Sequence, residues 1–326
     1  MESIVITKAN EGKRIDKFLL KQYPIIPKSL VYKLFRKKQI KVNKKAVKFD
    51  YILQAGDELL ISSNIFGQTL QKLTDEKEKL ENIINELNIV YEDENIMIVF
   101  KESGVLSQPN QKEMDTSLIT IVNKYLKLSN PTEYRHFSVG SINRLDRNTE
   151  GLLLFGKNYQ SLKLLNEAMK DGKIKKYYLT LVKGIIKQQK LLNHYIVKNV
   201  TTNIVSIFEE KVPGALECKS IIKPIAYKDN YTLLEVELLT GRSHQIRAQL
   251  AYIDHPVVGD PKYGDPETNE YFQKNFDLEW QYLIAYKLAF ENLTAPLTYL
   301  NYKTFIAPEN SFLMNLTREL FGDIKT

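Results

Sequence analysis

The stretch Asn143-Arg144-Leu145-Asp146-Arg147-Asn148-Thr149-Glu150-Gly151-Leu152-Leu153-Leu154-Phe155 passes from a charged loop directly into an apolar run. A short continuous apolar run bounded by turn residues reads as a buried strand. Upstream, residues 89–100 read as strand, tight turn, strand, and a helix is predicted over 117–126. Downstream, residues 159–169 return to helical periodicity, with Leu162, Leu165 and Met169 on one side. Residues 177–182, 204–209 and 233–239 favour strands. Strands that cluster, with helices not strictly alternating between them, predict an α+β fold rather than a doubly wound sheet.

The whole chain has 326 residues, which suggests about two domains. A single cysteine, Cys218, excludes an internal disulfide framework and a Cys-rich zinc site. Four histidines, His136, His194, His244 and His255, are too few for a His-rich metal centre. His136, His194 and His255 are expected in turns or on the surface. No apolar run approaches the roughly 20 residues of a bilayer span. The first residues lack the order of charge, apolar core and small cleavage site that marks a signal peptide. These features predict a soluble, reduced, cytoplasmic protein with no metal, no cofactor and no membrane partner.

Charge is concentrated at one end. Residues 13–48 carry 13 Lys or Arg and one acid, Asp16, whereas the chain as a whole has a net charge of +7. This segment therefore holds more than the entire basic excess. A folded unit so charged gains affinity for a polyanion by releasing its counterions, although a solvated Lys-rich face would look the same. Ile15, Phe18 and Leu19 form one helix face. Pro24 and Pro27 interrupt the chain, and Ser29 is the expected N-cap of a second helix with Leu30, Leu34 and Phe35 on its apolar side. Lys33, Arg36 and Lys37 face away from it. Residues 39–43 alternate like a strand and put Lys41 on it. Asn43-Lys44-Lys45 is turn material, and residues 55–61 read as a turn entering a closing strand.

Two helices followed by a small basic hairpin resemble the S4-type RNA-binding domain over residues 12–62. The resemblance implies that Lys33, Arg36, Lys37, Lys41 and Lys44 grip RNA by backbone and shape rather than by sequence. The predicted organisation is an S4-like domain at 1–63, a charged connector at 64–88 and a large domain at 89–326. The connector reads as a solvated helix held by pairs such as Asp75 with Lys79, or as a partly disordered segment.

Three clusters in the large domain can carry chemistry. In the first, Asp146 lies between Arg144 and Arg147; a neighbouring guanidinium favours the ionised carboxylate. The same residues could equally form a structural turn. The second is Lys175-Lys176-Tyr177-Tyr178-Leu179-Thr180-Leu181-Val182-Lys183-Gly184, whose alternation turns Tyr178 away from Tyr177. Tyr178 could stack on a base and relay a proton, or serve as a core tyrosine of a sheet. In the third, Gly241 is read as a tight turn, and Arg242, His244, Gln245 and Arg247 open a helix. They suit an anion, either as a phosphate cradle or as a carboxylate clamp.

Together these clusters resemble the RluA-type family of pseudouridine synthases. The pattern R-L-D-x-x-T-x-G stands at 144–151, and K-x-Y-x-A-L-V-x-G at 176–184 with Thr180 in place of Ala. G-R-[ST]-H-Q-I-R is complete at 241–247, and H-P-[IV]-x-G-D-x-x-Y-G stands at 255–264. Tyr91-Glu92-Asp93-Glu94 matches the start of the domain. Asn143 replaces a usual His, Glu150 a usual Ser, Lys101-Glu102-Ser103-Gly104 a usual K-P-x-G, and Leu283-Ile284-Ala285 a usual L-H-A. The resemblance implies a mixed, mostly antiparallel sheet flanked by helices, and an enzyme that isomerises uridine to pseudouridine in RNA. The reaction detaches uracil from C1′ of its ribose, turns it over and rejoins it through C5. Asp146 would be the catalytic carboxylate, attacking covalently or removing a sugar proton. Arg247 would aim Asp146, Tyr178 would stack on the uracil and take part in loss of the C5 proton, and Arg144 would hold phosphate. Arg242, His244 and Gln245 would also contact RNA. The implied partner is structured RNA, large-subunit ribosomal RNA before transfer RNA, bound by a monomer. The rival readings are a non-catalytic RNA-binding or ribosome-assembly factor, and a nucleoside or glycoside hydrolase, which ordinarily needs two cooperating carboxylates.

Overall fold

The computed structural model describes all residues except 1, 8–9, 24–25, 62–86, 110–116, 131–133, 135–137, 200 and 324–326. Residues 64–86 of the connector with its Asp75–Lys79 pair, Pro24 and His136 therefore lie outside the described residues, whereas Asn88 already opens a strand. The chain divides into two compact units, Met1–Ile83 and Ile84–Thr326.

In the first unit, α1 (Ile15–Gln22) and α2 (Lys28–Arg36) pack on a small antiparallel sheet. Its strands are β1 (Glu2–Val5), β2 (Ile40–Val42), β3 (Lys45–Ala46) and β4 (Glu58–Ile61), in the order β1-β4-β2-β3. Ile15, Phe18 and Leu19 are buried as their spacing predicts. The N-cap of α2 is Pro27, not Ser29, which lies within the helix. Proline is tolerated here because the N–H it lacks would have no intrahelical partner. Asn43 and Lys44 take left-handed φ values of 49° and 65°, which is what a tight turn between β2 and β3 requires. Lys33, Arg36, Lys37 and Lys44 are exposed and Lys41 is half-buried.

The second unit is α+β. Its sheet runs β11-β10-β12-β13-β9-β14-β8-β6-β5. The strands are β5 (Asn88–Glu92), β6 (Ile96–Lys101), β7 (Gly140–Ser141), β8 (Glu150–Gly156), β9 (Ile174–Lys183), β10 (Lys190–Asn199), β11 (Ile204–Phe208), β12 (Leu216–Lys228), β13 (Tyr231–Leu238), β14 (Leu283–Phe290) and β15 (Thr304–Ile306). The short β7 pairs with β8, and β15 with β14. Pairing is antiparallel except between β14 and β8. Helices α3 (Leu118–Ser129), α4 (Tyr159–Lys170), α5 (Gln245–Tyr252), α6 (Pro266–Phe276) and α7 (Phe312–Phe321) complete the unit. The apolar run that decided the reading is β8, and all seven of its residues are buried. Each buried Leu or Phe there contributes roughly 1.5–3 kcal/mol.

Two features of this core place the chemistry. Gly151 has φ of 130°, and a Cβ there would fall 2.4 Å from the Ala285 carbonyl oxygen. Only glycine lets β8 and β14 approach so closely, immediately after the Asp146 loop. The reversal before α5 is made by His244, in the left-handed region at φ 53°, and not by Gly241, whose φ is ordinary. His194 is buried in β10 rather than exposed, with its ring against Tyr252 and its Nδ1 3.2 Å from Gln249 Nε2.

Candidate active site

The loop carrying Asp146 is tied down from three sides. Asn143 Nδ2 donates to the Leu152 carbonyl and Asn143 Oδ1 accepts the Leu154 N–H, both at 2.9 Å, so the residue in the usual His position clips the loop to β8. Ser107 Oγ donates to the Leu145 carbonyl at 2.8 Å and accepts the Leu145 N–H at 3.0 Å. Lys101, buried at the end of β6, donates to the carbonyls of Arg147, Glu102 and Val105 at 2.7, 2.8 and 2.9 Å. Burial drives the Lys101 pKa down to about 7, against the opposing charges of Glu150 and Asp146. The Asp146 carbonyl also accepts the Thr149 N–H at 3.1 Å, so a structural turn is present, but it occupies the backbone.

That leaves the Asp146 carboxylate free to face Arg247. Arg247 Nη1 donates to Asp146 Oδ2 at 2.8 Å. Behind it, Asp260 holds the same guanidinium bidentately, Nε to Oδ2 at 2.6 Å and Nη2 to Oδ1 at 2.8 Å. Asp260 is itself fixed by the N–H groups of Lys262 and Tyr263. Burial opposes the charge on Arg247, but hydrogen bonds and charge from Asp260 and Asp146 outweigh it and raise its pKa above the ordinary value. The fixed fork of arginine suits such a two-sided grip, which a lysine could not reproduce. Asp260 lies 13 positions from its partner, and its signal in the sequence is its place in the motif at 255–264.

His244 Nε2 lies 4.0 Å from Asp146 Oδ2, and its Nδ1 is 2.9 Å from the Tyr263 hydroxyl. That hydroxyl also accepts the Val205 N–H at 2.9 Å. Burial lowers the His244 pKa, more than Asp146 raises it.

Asp146, Arg144, Tyr178, Arg242 and Arg247 line one cavity of about 460 Å³, within the roughly 300–1,000 Å³ of ordinary ligand sites. Tyr178 is buried on β9 opposite Val236 and Ala285. Tyr177 points the other way, with Lys287 Nζ 4.3 Å from its ring centre. Burial, and then the Asp146 charge, push the Tyr178 phenol well above its usual range. Lys176, two residues back on the same strand face, also lines the cavity, and burial lowers its pKa. Of the residues expected to touch RNA, Arg144 and Arg242 are exposed at the rim. Gln245 lines the same cavity and is buried, accepting from the Thr240 hydroxyl and Arg242 N–H and donating to the Lys219 carbonyl, bonds that shape the turn into α5.

Residues 95–252 match the family model described as RNA pseudouridylate synthase, and residues 13–59 match the S4 domain. An uncharacterized RNA pseudouridine synthase of Mycoplasma genitalium is 31% identical over 89% of this chain and 89% of its own length. Ribosomal large subunit pseudouridine synthase C of Escherichia coli K12 is 32% identical, over 81% of this chain and 80% of its own. The solved human RNA pseudouridylate synthase domain containing 4 shares the fold, at a TM-score of 0.58 and 15% identity over 76% of this chain and 97% of its own. Fold and matches define an enzyme that acts on RNA. The chain belongs to the RNA pseudouridine synthase family, isomerases that convert uridine to pseudouridine.

Proposed function

We propose that Asp146 is the catalytic carboxylate and that the target uridine leaves its stack to enter the cavity beside it. The chain Asp260–Arg247–Asp146 carries this reading: a buried guanidinium, clamped behind, offers one carboxylate to a pocket. Asp146 is the one carboxylate lining that cavity among the described residues, which suits an isomerase better than a hydrolase built on paired acids. Tyr178 stacks on the uracil. Its buried, protonated phenol suits that contact, and it disfavours the phenolate that removal of the C5 proton would need. Arg144 and Arg242 hold phosphate at the rim. Extrusion costs a few kcal/mol of stacking, which docking by the exposed lysines and arginine of the S4-type unit helps to offset.

The substrate we infer is large-subunit ribosomal RNA. The S4-type unit and relatives named ribosomal large subunit pseudouridine synthase C support that choice. Incubation with ribosomal RNA carrying 5-[³H]uridine tests the mechanism. The wild type should release tritium, and Asp146→Asn should bind the RNA without releasing any. Release at the wild-type rate by that variant removes Asp146 from the role. Pseudouridine mapping in a deletion strain tests the substrate, which fails if every large-subunit position is retained.

A further inference from the structure

Lys176 lines the cavity of Asp146 and Tyr178, and the reaction as proposed gives it no task. It stands on β9 two residues before Tyr178, so both side chains rise from one face of the strand, about 7 Å apart along the backbone. Its ammonium reaches the turn that enters α5, where a Cβ added to Gly241 would stand 4.0 Å from Lys176 Nζ. Among the described residues no hydrogen bond or ion pair holds that ammonium, and burial lowers its pKa with no carboxylate to raise it back. Nor is Nζ one of the fully enclosed polar atoms without a partner, so it keeps surface open to the cavity. The other lysines described in this unit that are not exposed are all engaged. Lys101 donates to carbonyls, Lys157 meets Glu92 and Lys287 meets Glu235, and the rest likewise have an acid within reach. A half-buried cation without a counter-ion costs stability. For Lys176 the counter-charge has to come from what fills the cavity.

Isomerisation of uridine creates such a charge. When the C1′–N1 bond breaks, its electron pair leaves with the base. Uracil becomes an anion, its charge shared between N1 and the carbonyl oxygens, while C1′ is satisfied by a bond to the Asp146 carboxylate or by loss of the C2′ proton. The charge is used up when C5 bonds to C1′, and the proton then lost from C5 is balanced by one gained at N1. The anion exists only between these two bond changes. A cation aimed at it acts on the transition state more than on binding, and a site shielded from water strengthens the effect.

Phosphate is the poorer counter-charge for this lysine. Arg144 and Arg242 are exposed at the rim, where a backbone passes, whereas Lys176 is half-buried beside the tyrosine that stacks on the base. On the reading that uridine enters beside Asp146, we propose that Lys176 is a further catalytic residue: its ammonium donates to a carbonyl oxygen of the flipped uracil and stabilises the uracil anion formed when the glycosidic bond breaks. The ammonium gives up no proton in this step. Its role adds to that of Asp146, which deals with the sugar side of the same bond.

Lys176→Met and Lys176→Arg test this in the full chain, on an RNA carrying the target uridine. Lys176→Met keeps the apolar stem and removes the charge. Its thermal unfolding should occur at or above the wild-type temperature, because an unpaired, half-buried charge is gone. Its affinity for the RNA should be unchanged, while the single-turnover rate of isomerisation should fall about 100-fold, the loss expected when one donor to a developing anion is removed. Lys176→Arg should recover much of that rate. Replacing the target by 5-fluorouridine supplies a readout that a structural role would not move. Fluorine makes uracil a more stable anion, so the base needs the ammonium less. Consumption of this nucleoside, followed by digestion and mass spectrometry, should show a Lys176→Met defect about 10-fold smaller than on uridine. A defect of equal size on both substrates, an unchanged rate, lowered thermal stability, or weaker RNA binding at an unchanged rate (the behaviour of a phosphate contact) overturns the proposal. If the wild type converts uridine while these arms fail, the role of Lys176 is wrong and the activity stands. If the wild type converts none, the activity itself is in error.

Discussion

Two of the arginine–aspartate pairs among the described residues share one contact distance and bury opposite partners. In the first unit Arg14 Nη2 meets Asp16 Oδ2 at 2.8 Å, and in the second Arg247 Nη1 meets Asp146 Oδ2 at 2.8 Å. In the first pair the acid is hidden and the base exposed, with side-chain exposures of 2% and 41%. In the second the base is hidden and the acid presented, at 5% and 30%. Asp16 accepts from Arg14 Nε and Nη2, from the Lys17 N–H and from the Tyr32 hydroxyl, which consumes both oxygens. Among the described residues, Asp146 accepts from Arg247 alone at hydrogen-bond distance, with His244 at 4.0 Å, so lone pairs remain for a substrate. A saturated carboxylate locks a fold, whereas a carboxylate held on one side only can react.

The largest expected effect breaks the second pair at its reacting end. Asp146→Asn should lower tritium release by roughly 10⁴-fold while thermal unfolding stays near wild type, because the side chain is part-exposed and the loop is held elsewhere. Asp260→Asn comes next. It leaves a buried guanidinium half-neutralised, so it should cost about 3–5 kcal/mol of stability and lower kcat as well, measured by denaturant unfolding and turnover together. A variant as stable as wild type would mean that Asp260 is not the anchor.

Asp16→Ala should cost about 2 kcal/mol in the first unit and, on short RNA substrates, leave kcat unchanged. Its pH dependence has a definite sign. Burial works against the Asp16 charge, but hydrogen bonds from Arg14, Tyr32 and the Lys17 N–H outweigh it and hold the pKa below 3.8. The stabilisation is therefore complete above that unfolded value and is lost as pH falls through the lower folded one. Acid titration of wild type and variant should converge there. The smallest effect belongs to His244. Its folded pKa is lowered from 6.5, so the native state loses stability as pH drops below the unfolded value. His244→Gln should flatten that limb, and an unchanged limb would remove His244 from the account.

Much of this was legible without coordinates. The apolar run at 152–155 announced a buried strand, and the spacing of Ile15, Phe18 and Leu19 announced a helix face, because burial follows period. Asp146, Tyr178 and Arg247 stood out as chemistry-bearing residue types in tight clusters. The misreadings share a cause. Ser29 and Gly241 are residues whose local preference points to a cap and a turn, and the chain gives those tasks to Pro27 and His244.

Sequence alone determined the α+β class and singled out Asp146 as the candidate carboxylate, since these depend on periodicity and residue chemistry within short windows. Tertiary structure decided which face of each ion pair meets water, and that Asp260 clamps Arg247 from behind. Those outcomes depend on desolvation and on contacts between residues far apart in the chain, as between Asp146 and Arg247, 101 positions apart. No local pattern encodes such distances.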